Sequence, residues 1–553
     1  MCGIFAYLGN SISASRIQVA CMNTSKRGPD DNVIKAISKN LTFGFHRLAI
    51  MDTSFKGNQP LYHPNKPYVV VCNGELYNYK ELVEEHKLDT YSNSDCEVIL
   101  YLYEKYGITK TIELIDSEAF AFCIYDGIKN QLVVARDRFG VRPLFVSNRL
   151  NGELVIASEA KSIVNIIDDD DSNEHLPPGD SLEQFPPGTW SSYDVNTFEQ
   201  IETYRYYDCK YTTTNITDTA EICSNINELL TKSVRKRIMS ERPIGCLLSG
   251  GLDSSLISAL VAKEFRETGK GTLETFSIGM KGSTDLMYAK KVADHIGSKH
   301  HTIELTENDF LAAIPEVIFH IESYDTTTVR ASVGNYLVGK YIKENTDITV
   351  VFNGDGSDEQ SGYLYMGNAP NELEFTRECE RLLSEIHFFD VLRSDRSLSS
   401  NWSLETRAPF LDTDFVNYYM SVNPRLKMYP TGSGIIEKHL LRSSFDNNDL
   451  LPHDVLWRKK EAFSDGCSSN ERSWHKIIQE HVDNIVTDDA FNSNKHMYDH
   501  NPPELKETFY YRTLFEQYYD DRADIIPHYW LPKWCGTIVD PSARELEVYK
   551  EDI

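Results

Sequence analysis

Two stretches of this 553-residue sequence carry residues whose types and spacing suit chemistry. The first is Met1-Cys2. Removal of methionine before a small residue leaves Cys2 with both a thiol and a free α-amino group. An amine with pKa near ~8 is a general base for its own side chain. The competing reading is an inert core cysteine. The second stretch is Ser249-Gly250-Gly251-Leu252-Asp253-Ser254-Ser255, between the apolar run Ile244–Leu248 and the helical run Leu256–Lys263. Strand, glycine loop and helix together hold phosphate: the glycines let backbone N–H groups turn inward, and the helix N-terminus adds partial positive charge. Asp253 would repel a phosphate directly and makes sense as a ligand of Mg²⁺. The Gly-Lys-Ser/Thr ending of the commoner phosphate loop is missing, so this is a different device. For Gly250-Gly251 alone, a plain helix cap would explain as much.

Each stretch has company. Asn353-Gly354-Asp355-Gly356-Ser357-Asp358-Glu359 closes a Val350-Val351-Phe352 strand and packs three acids and two glycines into seven residues. Asp253 and Asp358 could jointly hold Mg²⁺ on a leaving pyrophosphate, where an acidic surface turn is the alternative. Trp457–Gly466 brings cations, among them Lys460, that would offset charge on a transferring phosphoryl group. Thr326-Thr327-Thr328-Val329-Arg330 offers hydroxyls and a guanidinium suited to a small amino-acid substrate, or else a helix start. Near the N-terminus, Arg27-Gly28-Pro29-Asp30 is a turn, and Arg47 ends a strand running into Leu48, Ala49, Ile50 and Met51. The Asn73 amide and Gly74 N–H form an oxyanion hole, with Glu75 next to them. Asp95 starts a helix, where it accepts from a substrate amino group or serves as an N-cap. Nucleophile, base, oxyanion donors and charged clamps describe an amidase for a free amino acid such as glutamine.

The elements that must position these residues change character along the chain. Strand candidates to about residue 165 are Thr42–Met51, Tyr68–Cys72, Ala119–Asp126, Gln131–Arg136 and Gly152–Ser158, with one helix over Cys96–Tyr106, so a sheet-rich α+β domain is expected. Residues 168–188, with an acidic run and two Pro-Pro-Gly triplets, read as a solvated break. From about residue 220 strands and helices alternate, which predicts a parallel sheet with ligands at its carboxyl ends. Helices dominate beyond 370, with Glu372–Leu392 amphipathic. The expected domains are 2–185, a linker 186–212, 213–535 and a tail 536–553. A net charge of -27 argues against nucleic-acid or anionic-membrane surfaces. No apolar run approaches the ~20 residues of a membrane span. Eleven scattered cysteines fit reduced thiols in the cytoplasm.

The opening Met-Cys-Gly-Ile, Arg27-Gly28-Pro29-Asp30, His46-Arg47-Leu48-Ala49 and Asn73-Gly74-Glu75 resemble a class II, N-terminal-nucleophile glutamine amidotransferase. The heptad, the 353–359 loop, Glu405–Asp412, the 457–466 block and the tail motifs Tyr529–Trp534 and Asp540–Arg544 resemble the synthetase half of the eukaryotic glutamine-hydrolysing asparagine synthetase family. The resemblance covers nearly the whole chain. It implies an αββα N-terminal-nucleophile sandwich followed by an ATP-pyrophosphatase-type α/β domain with a helical end. It further implies that Cys2 releases ammonia from glutamine bound by Arg47 through Met51, Asn73, Gly74, Glu75 and Asp95. ATP and Mg²⁺ are the implied cosubstrate and metal. ATP contacts fall on Leu248, the heptad (Ser249, Gly250, Gly251, Asp253, Ser254 and Ser255), Ile278, Asn353 and Gly354. Aspartate determinants fall on Thr327, Thr328 and Arg330, and the family's lysine falls on Lys460. A homodimer is implied as well.

The match has departures. The family's second loop reads Ser-Gly-Glu-Gly, so Asp355 is one methylene short, a reach deficit of ~1 Å that could slow catalysis. Thr406 stands for an aliphatic residue, Lys459 for a proline, and Ile115-Asp116-Ser117 for Leu-Asp-Gly. Two other readings are an amide- or β-lactam-forming synthetase on the same scaffold, and an inactive homologue that binds glutamine or nucleotide as a regulator. The retained Cys2 and glutamine clamps count against the first, and intact Cys2, Asp253, Asp358 and Lys460 count against the second.

Overall fold

In the computed structural model, residues 1–148, 152–167, 181–214, 216–446, 449–469 and 471–545 are described. The acidic run of the expected break, its first Pro-Pro-Gly and the last eight residues of the expected tail lie outside them.

The N-terminal domain is a sandwich of two six-stranded antiparallel sheets. Its strands are β1 (Gly3–Leu8), β2 (Asp31–Ala36), β3 (Leu41–Arg47), β4 (Leu61–Tyr62), β5 (Tyr68–Gly74), β6 (Phe120–Asp126), β7 (Gln131–Arg136), β8 (Phe145–Asn148), β9 (Leu154–Ala157), β10 (Ser181–Gln184), β11 (Thr189–Asp194) and β12 (Gln200–Arg205). The sheet orders are β10-β8-β9-β1-β3-β2 and β12-β11-β7-β6-β5-β4. Alternation along the strands builds the layers. Ile4, Ala6 and Leu8 of β1 meet Val69 and Val71 of β5 between the sheets. Phe5 and Tyr7 face the other way, onto helices Ala14–Met22 and Ala160–Ile167. Val70 and Cys72 face helix Val98–Leu114 on the opposite side. Helices therefore cover both outer faces, as the αββα expectation requires.

The expected boundaries need correction. Residues 186–212, read as a linker, supply β11 and β12 to the second sheet, and β10 lies within the expected break. Proline-glycine pairs there punctuate short strands whose partners, β7 and β8, lie far off in sequence. The helix read as Glu372–Leu392 is two, Glu372–Phe389 and Val391–Ser399, broken at Asp390.

The second domain is built on a parallel sheet of β13 (Ile244–Leu247), β14 (Glu274–Met280), β15 (Lys299–Leu305), β16 (Val350–Phe352) and β17 (Glu405–Arg407), in the order β15-β14-β13-β16-β17. The chain winds from β13 to one side and later to the other. The switch point falls between β13 and β16, and there a crevice opens at the strand ends. Both glycine loops leave from this point: 249–255 from β13 and 353–359 from β16. The helix after β13 spans Leu252–Thr268, so Asp253 lies in its first turn, where the helix dipole favours an acid.

The domains share packing. Leu48 and Ile50, just past β3, join the cluster of Cys246, Phe352 and Phe410. Buried ion pairs cross the boundary: Arg27 and Arg142 reach Asp395 at 3.5 and 3.4 Å, and Lys161 reaches Glu322 at 3.6 Å.

Candidate functional site

At the N-terminal site the Cys2 backbone N–H donates to Asn73 Oδ1 at 3.0 Å. Its thiol lies 3.7 Å from the Leu48 carbonyl. Asn73 sits near the end of β5, 1% exposed, and its Nδ2 has no partner among the described residues. A buried amide donor left open beside a nucleophile is what an oxyanion hole needs. Burial pushes the Cys2 thiol up to about 11, against the opposing pull of the N-terminal ammonium. The Met1 ammonium is itself buried, 3.6 Å from Glu405 Oε2, and burial lowers its pKa. Burial likewise raises Asp95 to about 6 while its Oδ2 accepts from Leu76 N at 2.7 Å. Glu75 is driven up by burial and by Glu405, and faces Arg407 Nη2 at 3.6 Å.

Arg47 occupies a different place from the expected clamp. Its terminal nitrogens donate to the carbonyls of Ser54, Met51 and Asp52 and to Asn58 Oδ1, so it braces the 51–58 loop. The Arg27–Asp30 turn is tied to the same strand end, with Ala49 N donating to Asp30 Oδ2 at 2.8 Å. Glu405 and Arg407, both from β17 of the second domain, belong to the Glu405–Asp412 motif, but the sequence assigned them no part in the first site, because that part depends on a contact between domains.

At the second site one cavity is lined by Leu248, Ser249, Gly251, Asp253, Ser254, Ile278, Thr327, Asn353, Gly354, Asp355, Asp358 and Lys460. The two loops touch: a Cβ at Gly354 would stand 2.8 Å from Ser254 N and 2.9 Å from Asp253 Cβ. Gly250 does not line the cavity. It turns at φ +77° and lies against the 288–289 backbone, where a Cβ would meet Ala289 N at 2.4 Å. Ser255 is fully buried on the far side of the helix start, with its hydroxyl unpartnered.

Asp253 and Asp358 converge. Lys438 Nζ lies 2.8 Å from Asp253 Oδ2 and 2.6 Å from Asp358 Oδ1, and Lys460 Nζ lies 2.7 Å from Asp358 Oδ2. Burial alone would raise Asp253, but Lys438 and Lys460 override it and hold the carboxyl well below its usual range. Among the described residues no three or more His, Cys, Asp or Glu side chains form a metal cage. Two converging carboxylates are the donor set of a hard cation that takes its other ligands from phosphate and water. Lys438 was missed because nothing in Glu437-Lys438-His439 marks it.

The aspartate determinants divide. Thr327 lines the cavity with an unpartnered Oγ1. Thr328 turns away, its hydroxyl donating to the Phe389 carbonyl. Arg330, expected on a substrate carboxylate, is buried against Glu507 at 2.6 and 2.8 Å and Asp540 at 2.8 and 3.2 Å. Both of its edges are filled by the protein. Among the described residues the guanidinium in the cavity wall is Arg393: Nη1 pairs with Asp390 at 2.7 Å, while Nε and Nη2 are buried with no partner there. Beside it, Glu359 is driven well up by burial and Asp390, and burial raises Asp355 to about 7.

A thiol-and-amine site on a four-layer sandwich and a phosphate crevice at a parallel-sheet switch point define an amidotransferase joined to a nucleotide-using synthetase. Comparison with known proteins agrees. A glutamine amidotransferase domain model matches residues 1–204, and an asparagine synthase model matches 225–373 and 366–536. Glutamine-hydrolysing asparagine synthetases align along all of this chain: that of Cricetulus griseus at 42% identity over 99% of its length, and those of Homo sapiens and Gallus gallus at 41% and 43% over 100% of theirs. The chain belongs to the glutamine-hydrolysing asparagine synthetase family.

Proposed function

We propose that this enzyme is a carbon–nitrogen ligase that makes L-asparagine from L-aspartate and ATP with ammonia from L-glutamine, releasing glutamate, AMP and pyrophosphate. The observation that carries the reading is one chain holding both an open Asn73 amide beside Cys2 and the joined 249–255 and 353–359 loops.

Once Met1 is removed, the Cys2 amine stays held by Asn73 Oδ1 and takes the thiol proton as Sγ attacks the glutamine amide carbon. Asn73 Nδ2 and the Gly74 N–H receive the developing oxyanion, ammonia leaves, and water releases glutamate. Leu48 through Met51, Glu75 and Asp95 shape the glutamine pocket. Ammonia then crosses the interior; β17 supports such a route, since Glu405 and Arg407 face the first site while their strand pairs with β16, which carries the second loop.

In the crevice the backbone at Ser249, Gly251, Asp253 and Ser254 cradles phosphate, and Leu248 and Ile278 flank the base. Asp253 and Asp358 would hold Mg²⁺, which neutralises charge on the leaving pyrophosphate when bound. Lys438 and Lys460 supply further positive charge there. The aspartate α-carboxylate takes the open edge of Arg393, next to Thr327, instead of Arg330. Its β-carboxyl displaces pyrophosphate to form β-aspartyl-AMP, which ammonia converts to asparagine and AMP. The reading also carries a cytoplasmic homodimer without nucleic-acid partners. Eleven free thiols support the location and the net charge of -27 supports the lack of nucleic acid. Incubation with ATP, Mg²⁺, aspartate and glutamine tests it: asparagine and AMP are expected in equal amounts, and ADP as the nucleotide product would refute adenylation.

A further inference from the structure

Asp355 carries one feature that its identity alone does not explain. One of its oxygens is held from two elements at once. Asn353 Nδ2 donates to Asp355 Oδ2 at 2.9 Å from within the same loop, and the Ser394 hydroxyl donates to that oxygen from helix Val391–Ser399. Asn353 Oδ1 also accepts from Asp355 N at 3.3 Å, so residues 353 and 355 are tied twice. Ser394 and Asn353 are 2% and 4% exposed, and both line the cavity. Among the described residues Asp355 Oδ1 receives no hydrogen bond, and Asp355 lines the same cavity as Thr327 and Arg393.

A carboxylate with one oxygen clamped by two donors can aim only its other oxygen. We propose that Ser394 is a positioning residue for Asp355: with Asn353 it fixes the short side chain so that Oδ1 faces the nitrogen entering the acyl-adenylate. The inference rests on the functional reading above. In the step concerned, ammonia's lone pair forms the C–N bond to the activated carbonyl carbon. The carbon–oxygen bond to AMP then breaks, with its electrons leaving on the AMP phosphate, and one N–H proton passes to Asp355 Oδ1. The geometry also matches acid length to hydroxyl. Ser394 already touches the carboxylate of an aspartate, so a glutamate at 355 would push its carboxylate into the space the hydroxyl fills.

The test uses the full-length enzyme with ammonia as nitrogen source, comparing S394A, S394T, D355E and the double variant D355E/S394A. S394A should lower kcat for asparagine ~10- to 100-fold, the scale expected for a misaimed catalytic group. KM for ATP and aspartate should stay within ~3-fold, a change too small to signal lost binding. Pyrophosphate released should exceed asparagine formed, because the waiting adenylate is lost to water. S394T, which keeps a hydroxyl, should remain closer to the parent than S394A. D355E alone should be impaired and D355E/S394A should recover most of that loss, a non-additivity that a merely structural serine does not produce. Parental kcat with equal pyrophosphate and asparagine in S394A overturns the proposal, as do strictly additive losses in the double variant. Absence of asparagine from the unsubstituted enzyme overturns the functional reading itself, so the two failures are distinguishable.

Discussion

Replacement of Arg393 by methionine separates substrate recognition from scaffold in one experiment. The guanidinium is oriented in advance by its 2.7 Å pair with Asp390, and its Nε and Nη2 are buried in the cavity wall without a partner among the described residues. A carboxylate seated there gains two charge-assisted hydrogen bonds of ~1.5–3 kcal/mol each. Allowing for non-additivity, the loss is ~3–4 kcal/mol, or ~10²- to 10³-fold. Methionine keeps most of the stem volume, so the cavity wall stays filled. The assay is initial pyrophosphate release against aspartate concentration. KM for aspartate should rise by that factor, while KM for ATP and glutamine hydrolysis stay unchanged. R330M should behave differently. It leaves Glu507 and Asp540 without their cation, so it should lower the melting temperature and depress all activities together. A rise in aspartate KM below about fivefold in R393M, with a selective rise in R330M, would refute the assignment.

Three further outcomes follow from the two sites. C2A should lose glutamine-dependent asparagine formation and keep ammonia-dependent formation, as measured by amino-acid analysis with either nitrogen source; loss of both would break the two-site account. D253N should abolish aspartate-dependent pyrophosphate release with either source, because Asp358 alone would not hold the Mg²⁺ whose charge offsets the leaving pyrophosphate; full retention refutes the metal role. Asp355 is raised to about 7, so it is protonated below that pH and becomes a base as pH rises. The glutamine-dependent kcat should therefore climb through pH ~7, and D355N should erase that limb of the profile.

Local signals carried far in the sequence, and contacts between distant segments did not. The phosphate cradle was legible because strand, loop and helix are consecutive, and each residue's place follows from its neighbours. Cys2 and Asn73 were legible for their chemistry, although Asn73 Oδ1 on the Cys2 amide joins residues 71 apart. Arg330 was misjudged because its partners stand 177 and 210 positions away. Nothing near Thr326–Arg330 shows that a buried Glu507 and the tail's Asp540 fill both edges. Arg393 was hidden by periodicity: a continuous amphipathic reading ran past Asp390, where the helix breaks and Asp390, Arg393 and Ser394 line the cavity. The strands at 189–205 were lost for a related reason, since Pro-Pro-Gly is equally good punctuation inside a sheet and outside one.

The ions buried between the domains limit how the enzyme can be taken apart. Arg27 and Lys161 share Glu159 at 2.8 and 2.6 Å, and each also reaches an acid of the other domain. Arg237 in turn binds Glu118 across the boundary and Asp412 within its own domain at 2.8 Å. Cutting the chain at the domain boundary would break these pairs and turn to water the apolar contacts around them, Leu48 and Ile50 among them. Either half expressed alone would meet that cost at the face that must stay folded. Heating the whole chain should therefore give a single calorimetric peak, and the two half-reactions are best separated by point substitution in the intact molecule.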